Sequence, residues 1–281
     1  MAKKLFELDR NIPQVMGILN VTPDSFSDGG CFFAGQKVDL DLCCRRVERM
    51  MAEGASIIDV GGESTRPGAA PVSPAEEVQR VLPVIEALAQ YDVVVSLDSS
   101  TPELIDEAAR LGIGLINDVR ALQRGHALQV AAATQLPVCL MHMQGQPATM
   151  QNNPEYHDVL ESVMDFFQDR IQACLAAGIA RENLLLDPGF GFGKNLEHNK
   201  QLLARMSELK SIGLPIVAGF SRKSMISHIL GGRDIDQRLP GSIALAVMAV
   251  ERGAWIVRAH DVKETADAVR IASAIIGAAY G

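Results

Sequence analysis

Short apolar runs with the composition of β-strands recur along the chain, and each is closed by polar or charged residues. Val15 to Leu19 ends in Asn20, Ile57-Ile58 in Asp59, Val93 to Leu97 in Asp98, and Leu115-Ile116 in Asn117. Pro137 to Met141 ends in His142, and Leu184 to Leu186 in Asp187. Ile216-Val217 leads to Ser221-Arg222-Lys223, and Trp255 to Val257 ends in Arg258 and His260. Segments of helical length lie between these runs. Val78, Val81, Leu82, Ile85 and Leu88 keep the helical period and predict a helix with one buried face. Ser73-Pro74 with Glu76 reads as a helix start with a capping box, Thr101-Pro102 as a second start, and Asp261 with Glu264 as a third, opening a helix toward Ile276. Eight strands alternating with helices, with no linker or shift of composition, predict an α/β fold: a (β/α)8 TIM barrel, one domain over residues 1–281. Parallel strands all point one way, so their polar endings would collect on one rim, where such folds bind ligands.

An open doubly wound sheet is the rival architecture. It would carry a glycine-rich phosphate turn after its first strand. The first turn here, NVTPDSFSDGG, has none. The later PGFGFGKN fails that pattern because Leu196 stands at the third glycine position, and it fails the P-loop because Asn195 follows the lysine and Pro188 replaces the first glycine. Three connections are long for plain turns: Val21 to Gln36, Gly61 to Ser73 and Met143 to Pro154. The first two contain glycine pairs and are read as candidate lids.

The net charge of −8 argues against nucleic acid or an anionic membrane as partner. The longest apolar run, Ile243 to Val250, is far short of a membrane span, and the N-terminus has no signal-peptide pattern. Five cysteines without a C-x-x-C pair suit reduced thiols in a cytoplasm, with one thiol of Cys43-Cys44 facing the core. Against this acidic background, Arg66, Arg222, Lys223, Arg258 and His260 gather on the predicted rim. With hydroxyls from Thr65, Ser221 and Ser224 they suit a phosphate-like anion. Some of these cations could instead pair with Asp59, Asp98 or Asp187. Lys194 could join them or be a solvated loop lysine.

Asp98, Asn117, Asp187 and Lys223 offer the acceptors and donors that a flat nitrogen heterocycle needs, and Met141, Phe190 and Phe192 offer faces for stacking. Thr101 is the better helix cap, which leaves Asp98 for the cavity. His142 reads as a structural strand-end residue. A hard cation such as Mg2+ needs few protein ligands when it rides on a pyrophosphate, and Asn20 could give one oxygen. Lys223 could also form a Schiff base, as in barrel aldolases.

The motifs MGILNVTPDSFSDGG (Met16 to Gly30), IIDVGGESTRPG (Ile57 to Gly68), LLLDPGFGFGKN (Leu184 to Asn195), GFSRKSM (Gly219 to Met225), RLPGS (Arg238 to Ser242) and VRAHD (Val257 to Asp261) closely resemble the dihydropteroate synthase family. The resemblance runs from about Val15 to the last helix. It implies a barrel enzyme of folate biosynthesis that joins para-aminobenzoate to 6-hydroxymethyl-7,8-dihydropterin pyrophosphate, needs Mg2+, and forms a homodimer. It implies a pterin site of Asp98, Asn117, Met141, Asp187, Phe192 and Lys223. Asn20, Arg66, Arg258 and His260 would meet pyrophosphate, with Mg2+ at Asn20. Phe26, Thr65, Pro67, Phe190, Lys223 and Ser224 would meet the aminobenzoate, whose place sulfonamides take in this family. Asp28 would stabilise developing positive charge; Arg66, Lys223, Arg258 and His260 complete the catalytic set. Ser99-Ser100, Phe220 and Ala259 depart from the family's common residues. A corrinoid-dependent methyltransferase barrel and an inactive pterin-binding paralogue are the alternatives to a synthase.

Overall fold

The computed structural model describes residues 4–22, 33–34, 37–64, 72–146 and 149–278. Strand β1 (Gln14–Asn20) is followed by a short antiparallel pair, β2 (Phe33–Ala34), within the 21–36 stretch read from sequence as a loop, and β3 (Lys37–Val38), just after it. Then come α1 (Leu40–Ala52), β4 (Ile57–Gly61), α2 (Pro74–Leu88), β5 (Val94–Asp98), α3 (Pro102–Arg110), β6 (Leu115–Asp118) and α4 (Ala127–Thr134). The second half continues with β7 (Val138–Met141), α5 (Val159–Ala176), β8 (Leu184–Asp187), α6 (Leu196–Ala204), β9 (Ile216–Gly219), α7 (Ser224–Ile229), α8 (Leu239–Glu251), β10 (Ala254–Ala259) and α9 (Val262–Ala278). All strands but β2 and β3 pair in parallel and close in the order β1-β10-β9-β8-β7-β6-β5-β4. This is the (β/α)8 barrel the strand and helix pattern predicts.

The period-two alternation of strand side chains builds the site. Met16, Ile57, Val94, Leu115, Cys139, Leu185, Val217 and Ile256 form one apolar cluster inside the barrel. The N-terminal turn Leu5–Glu7 closes its lower end: Leu5 joins the cluster, Phe6 stacks on Trp255, and the Trp255 indole donates to the Asp9 carbonyl at 3.1 Å. Two residues further along each strand stand Ile18, Asp59, Ser96, Asn117, Met141, Asp187, Gly219 and Arg258. The apolar floor is thus followed, one pleat higher, by a mostly polar layer. The intervening residues, among them Ile58, Val95, Ile116, Leu140, Leu186 and Val257, belong to the larger core between the strands and the outer helices.

Helix starts fall where the sequence places them, but three caps are made differently. The Ser73 hydroxyl accepts from the Glu76 amide at 3.3 Å, while the Glu76 carboxylate pairs with Arg80 instead of closing a capping box. Thr101 precedes Pro102 at the start of α3, yet its hydroxyl donates to the buried Glu77 carboxylate. The Asp261 carboxylate turns away from α9 to meet Arg222. Cys43 is buried and Cys44 only partly so, as the helical phase of the pair requires. No helix among the described residues is long and apolar enough to cross a membrane.

Candidate active site

Asp59 is the hub of the polar layer. It has no accessible surface. It accepts from Ser96 Oγ at 2.6 Å, from Asn117 Nδ2 at 3.0 Å and from Arg258 Nε at 2.6 Å. Arg258 Nη2 reaches Asp98 at 2.7 Å, so one guanidinium spans two carboxylates. Burial pushes the Asp98 carboxyl up to about 7 against the pull of Arg258, and neighbouring carboxylates add to the rise. Burial also works against the Arg258 charge, but Asp59 and Asp98 outweigh it and hold its pKa above the ordinary value. The Asn117 amide is oriented by its bond to Asp59, because the Nδ2 end is committed there.

The other half of the layer joins Asp187 to Lys223. Burial raises the Asp187 carboxyl, opposed by the charge of Lys223, while burial lowers Lys223 to about 8, opposed by Asp187. Lys223 Nζ donates to the Phe190 carbonyl and lies 4.9 Å from the centre of the Phe192 ring. Met141 is buried at the end of β7. The strand ends therefore bring Asp98, Asn117, Met141, Asp187, Phe192 and Lys223 to one mouth of the barrel. Phe190 contributes differently from its neighbour. Its ring has no accessible surface and packs 4.3 Å from Phe220, so its backbone carbonyl faces the site while its ring is core. Phe220, one of the departures from the family pattern, is the residue that covers it.

Of the cations grouped from sequence, Arg222 is absorbed by Asp261, which its Nε meets at 3.0 Å. Arg222 adopts a left-handed φ of +61°, a backbone conformation that costs a non-glycine residue energy. The RLPGS motif supports that turn. Ser242 Oγ accepts from the Arg222 amide at 3.0 Å, and Arg238 Nη1 donates to its carbonyl at 2.9 Å. Ser221 Oγ accepts from the His260 amide at 3.1 Å and lies 3.0 Å from His260 Nδ1, which ties the turn to β10. Ser224 opens α7 and is exposed. Asn20 ends β1 beside Gly61, partly exposed on the same rim. Lys194, left open by the sequence, is neither solvated nor set toward an anion: it is buried on His142. Phe26, Asp28, Thr65, Arg66 and Pro67 lie outside the described residues.

Asp59 went unassigned in the sequence except as a partner for a cation. The signal for it was the inward register: Asp59 stands two residues above Ile57, as Asn117 stands above Leu115 and Asp187 above Leu185. The departure at Ser99-Ser100 is also accounted for. Ser99 Oγ accepts from the Thr101 amide at 3.0 Å within the β5–α3 connection, and Ser100 donates to Asp118 at the end of β6, so both hydroxyls have structural partners.

A family model described as "Pterin binding enzyme" matches residues 16–260. The dihydropteroate synthase of Escherichia coli (strain K12) is 55% identical over 272 residues, which cover 96% of this chain and 94% of that protein. The dihydropteroate synthase of Haemophilus influenzae is 53% identical over 265 residues, covering 94% of each. Among solved structures, Yersinia pestis dihydropteroate synthase in a sulfonamide drug complex aligns with a TM-score of 0.92 at 56% identity over 96% of both chains. Xanthomonas albilineans dihydropteroate synthase with 4-aminobenzoic acid aligns with a TM-score of 0.87 at 44% identity, covering 96% of this chain and 95% of that one.

Proposed function

The chain belongs to the dihydropteroate synthase family of pterin-binding enzymes, and from that premise we propose how its rim carries the reaction. The activity is that of a folate-biosynthesis transferase, joining 6-hydroxymethyl-7,8-dihydropterin pyrophosphate to para-aminobenzoate and releasing pyrophosphate and 7,8-dihydropteroate. One observation carries the residue assignment: Asp98, Asn117, Asp187 and Lys223 converge above an apolar floor. We assign them to the pterin, with Met141 and Phe192 at its faces. The two carboxylates accept from ring and amino N–H groups, Asn117 presents the amide groups that Asp59 leaves uncommitted, and Lys223 donates.

Arg258 and His260 stand beside this layer, and with Arg66 and Asn20 they are assigned to the pyrophosphate. The contacts to Asp59 and Asp98 use Arg258 Nε and Nη2, and a guanidinium has further N–H groups for the leaving oxygens. The methylene carbon bears positive charge as its bond to oxygen breaks, and the carboxylates that hold the ring, with Asp28, stabilise it. The aromatic amine then attacks that carbon. Phe26, Thr65, Pro67, Lys223, Ser224 and the Phe190 segment are assigned to the aminobenzoate, and sulfonamides would compete there.

Mg2+ fits this rim only as an ion carried by the substrate. The described residues contain no group of three carboxylate, histidine or cysteine side chains able to cage a metal, and Asn20 offers a single amide oxygen at the strand end. When bound, the ion would neutralise charge on the leaving pyrophosphate. The pyrophosphate released from the pterin substrate should require para-aminobenzoate and Mg2+ and should stop in chelator, with dihydropteroate as co-product. Tight pterin binding without release would refute the assignment and favour an inactive paralogue, and methyl transfer from a methylated folate would favour the methyltransferase.

We further propose a cytoplasmic homodimer. The four described cysteines are free thiols. Val247 on α8 and Ala268, Ile271, Ala272 and Ile275 on α9 line an apolar groove, in which Ile271 is 67% and Ile275 70% exposed. Isolated exposed leucines and isoleucines are ordinary, but two on one groove suit a self-complementary face. Ile271→Asp with Ile275→Asp should halve the mass seen by sedimentation velocity while leaving the circular dichroism unchanged. A wild-type monomer at micromolar concentration would end this reading.

A further inference from the structure

Lys194 is the penultimate residue of the PGFGFGKN segment, which matches no phosphate-loop pattern, and it is 2% exposed. Its Nζ lies 2.8 Å from His142 Nδ1 and 3.4 Å from the His142 carbonyl oxygen, and donates to the carbonyls of Gly189 at 3.0 Å and Phe192 at 3.1 Å. Four polar atoms, two of His142 and two carbonyl oxygens of the β8 connection, thus surround the amine. Burial pushes the His142 imidazole down to about 2, with Lys194 adding to the shift, so the ring is neutral; burial also pushes Lys194 well below its ordinary value, opposed by the charge of Asp187. The two carbonyls that Lys194 holds lie on either side of Phe190, whose own carbonyl takes the hydrogen bond from Lys223. Phe192, one of the two, also carries the ring beneath Lys223.

The packing around this contact is close. Gly189 has φ +66°, and a Cβ there would stand 1.9 Å from the His142 carbonyl oxygen, so the connections after β7 and β8 touch backbone to backbone. From the other side Asn199 accepts from the Gly191 amide at 2.7 Å and donates to the Lys194 carbonyl at 3.0 Å. Tyr156 donates to the Gly193 carbonyl at 2.8 Å. A buried amine is a costly way to fill a core, where an apolar side chain of similar volume serves stability as well or better. What it supplies here is geometry: directed bonds that join two connections at fixed points.

We propose that Lys194, seated on His142, is a positioning residue for the pterin subsite, drawing the β7 and β8 connections together so that the Phe190 carbonyl and the Phe192 ring meet Lys223 in register. The inference rests on the assignment of Lys223 and Phe192 to the pterin. Its test is steady-state kinetics of Lys194→Met beside wild type, with both substrates varied and the folded fraction taken from thermal melting. The contacts that Lys194 sets lie at the ring face of the pterin and away from the leaving group, so the KM for the pterin pyrophosphate should rise about tenfold or more, with a smaller fall in kcat per folded enzyme. His142→Asn can place Oδ1 where Nδ1 stands and should keep that KM closer to wild type than His142→Leu does. This pair decides the matter if Lys194→Met does not fold. An unchanged pterin KM in folded Lys194→Met, or identical behaviour of the two His142 variants, overturns the proposal. Wild-type enzyme that makes no dihydropteroate would instead overturn the functional assignment, so the two failures are distinct.

Discussion

Asp59→Ala is expected to reduce pyrophosphate release by roughly 100-fold or more and to destabilise the fold by about 3–5 kcal/mol. The carboxylate lies at the centre of the barrel with no accessible surface and accepts three hydrogen bonds, one of them from a guanidinium. Removing it leaves Ser96 Oγ, Asn117 Nδ2 and Arg258 Nε without their acceptor in a space too confined to hydrate freely. Breaking a buried pair by deleting one partner is costly because the other charge stays behind. Asp98 still holds Arg258 by Nη2, which keeps the penalty from exceeding that range. Domains are stable by only about 5–15 kcal/mol, so the loss is large but survivable. The effect on turnover has a second source: with Asp59 gone, nothing on that side commits the Asn117 amide to one orientation, and Arg258 loses one of its two anchors. Asp59→Asn preserves shape and one oxygen, and should fall between wild type and Asp59→Ala. Urea unfolding and a pyrophosphate-release assay on the same preparations check both parts. Turnover within a few-fold of wild type in Asp59→Ala would sink the idea that this residue organises the site.

The barrel and most of its rim were legible in the sequence because the information was local. A run such as Leu184 to Leu186 followed by Asp187 states both that a strand is present and where it ends, and eight repetitions state the topology. Asp98, Asn117, Asp187 and Arg258 could be placed on one rim by that logic alone. Partnerships were legible only in kind: a rim cation is expected to pair with Asp59 or Asp98, as Arg258 does, but which residues meet depends on closure of the barrel. Asp59 finds Ser96, Asn117 and Arg258 at separations of 37, 58 and 199 residues. Arg222 reads as a phosphate cation beside Lys223, yet Asp261, 39 residues on, takes its guanidinium. Lys194 reads equally well as a solvated lysine, since nothing near it in sequence announces that His142 lies beneath it. Thr101 and Asp261 stand where helix caps belong, and in each case a stronger partner from another element takes the side chain.

Arg258→Ala is expected to lower turnover by roughly 100- to 1,000-fold, the scale of losing a preorganised group that meets developing charge. Binding of hydroxymethyl-dihydropterin without its pyrophosphate should weaken much less, because Asp98, Asn117, Asp187 and Lys223 all remain. Calorimetry against steady-state kinetics separates the two, and equal losses would count against a role at the leaving group. The same variant carries a pH signature. In the folded protein burial raises the Asp98 carboxyl to about 7, from an ordinary value of 3.8. Over that interval the folded chain keeps a proton that the unfolded chain has released, so this group's contribution to stability falls as pH rises toward 7 and is lost above it. Arg258 restrains the shift by favouring the carboxylate. Without the guanidinium the folded Asp98 pKa rises further, and the loss of stability continues to higher pH. The deficit of Arg258→Ala relative to wild type in urea unfolding should therefore be smallest near about pH 5, where Asp98 is protonated in both folded proteins and only the lost pairing with Asp59 remains, and should grow toward about pH 9. A deficit that is constant across that range would mean that the Arg258 guanidinium does not stabilise the charged form of Asp98.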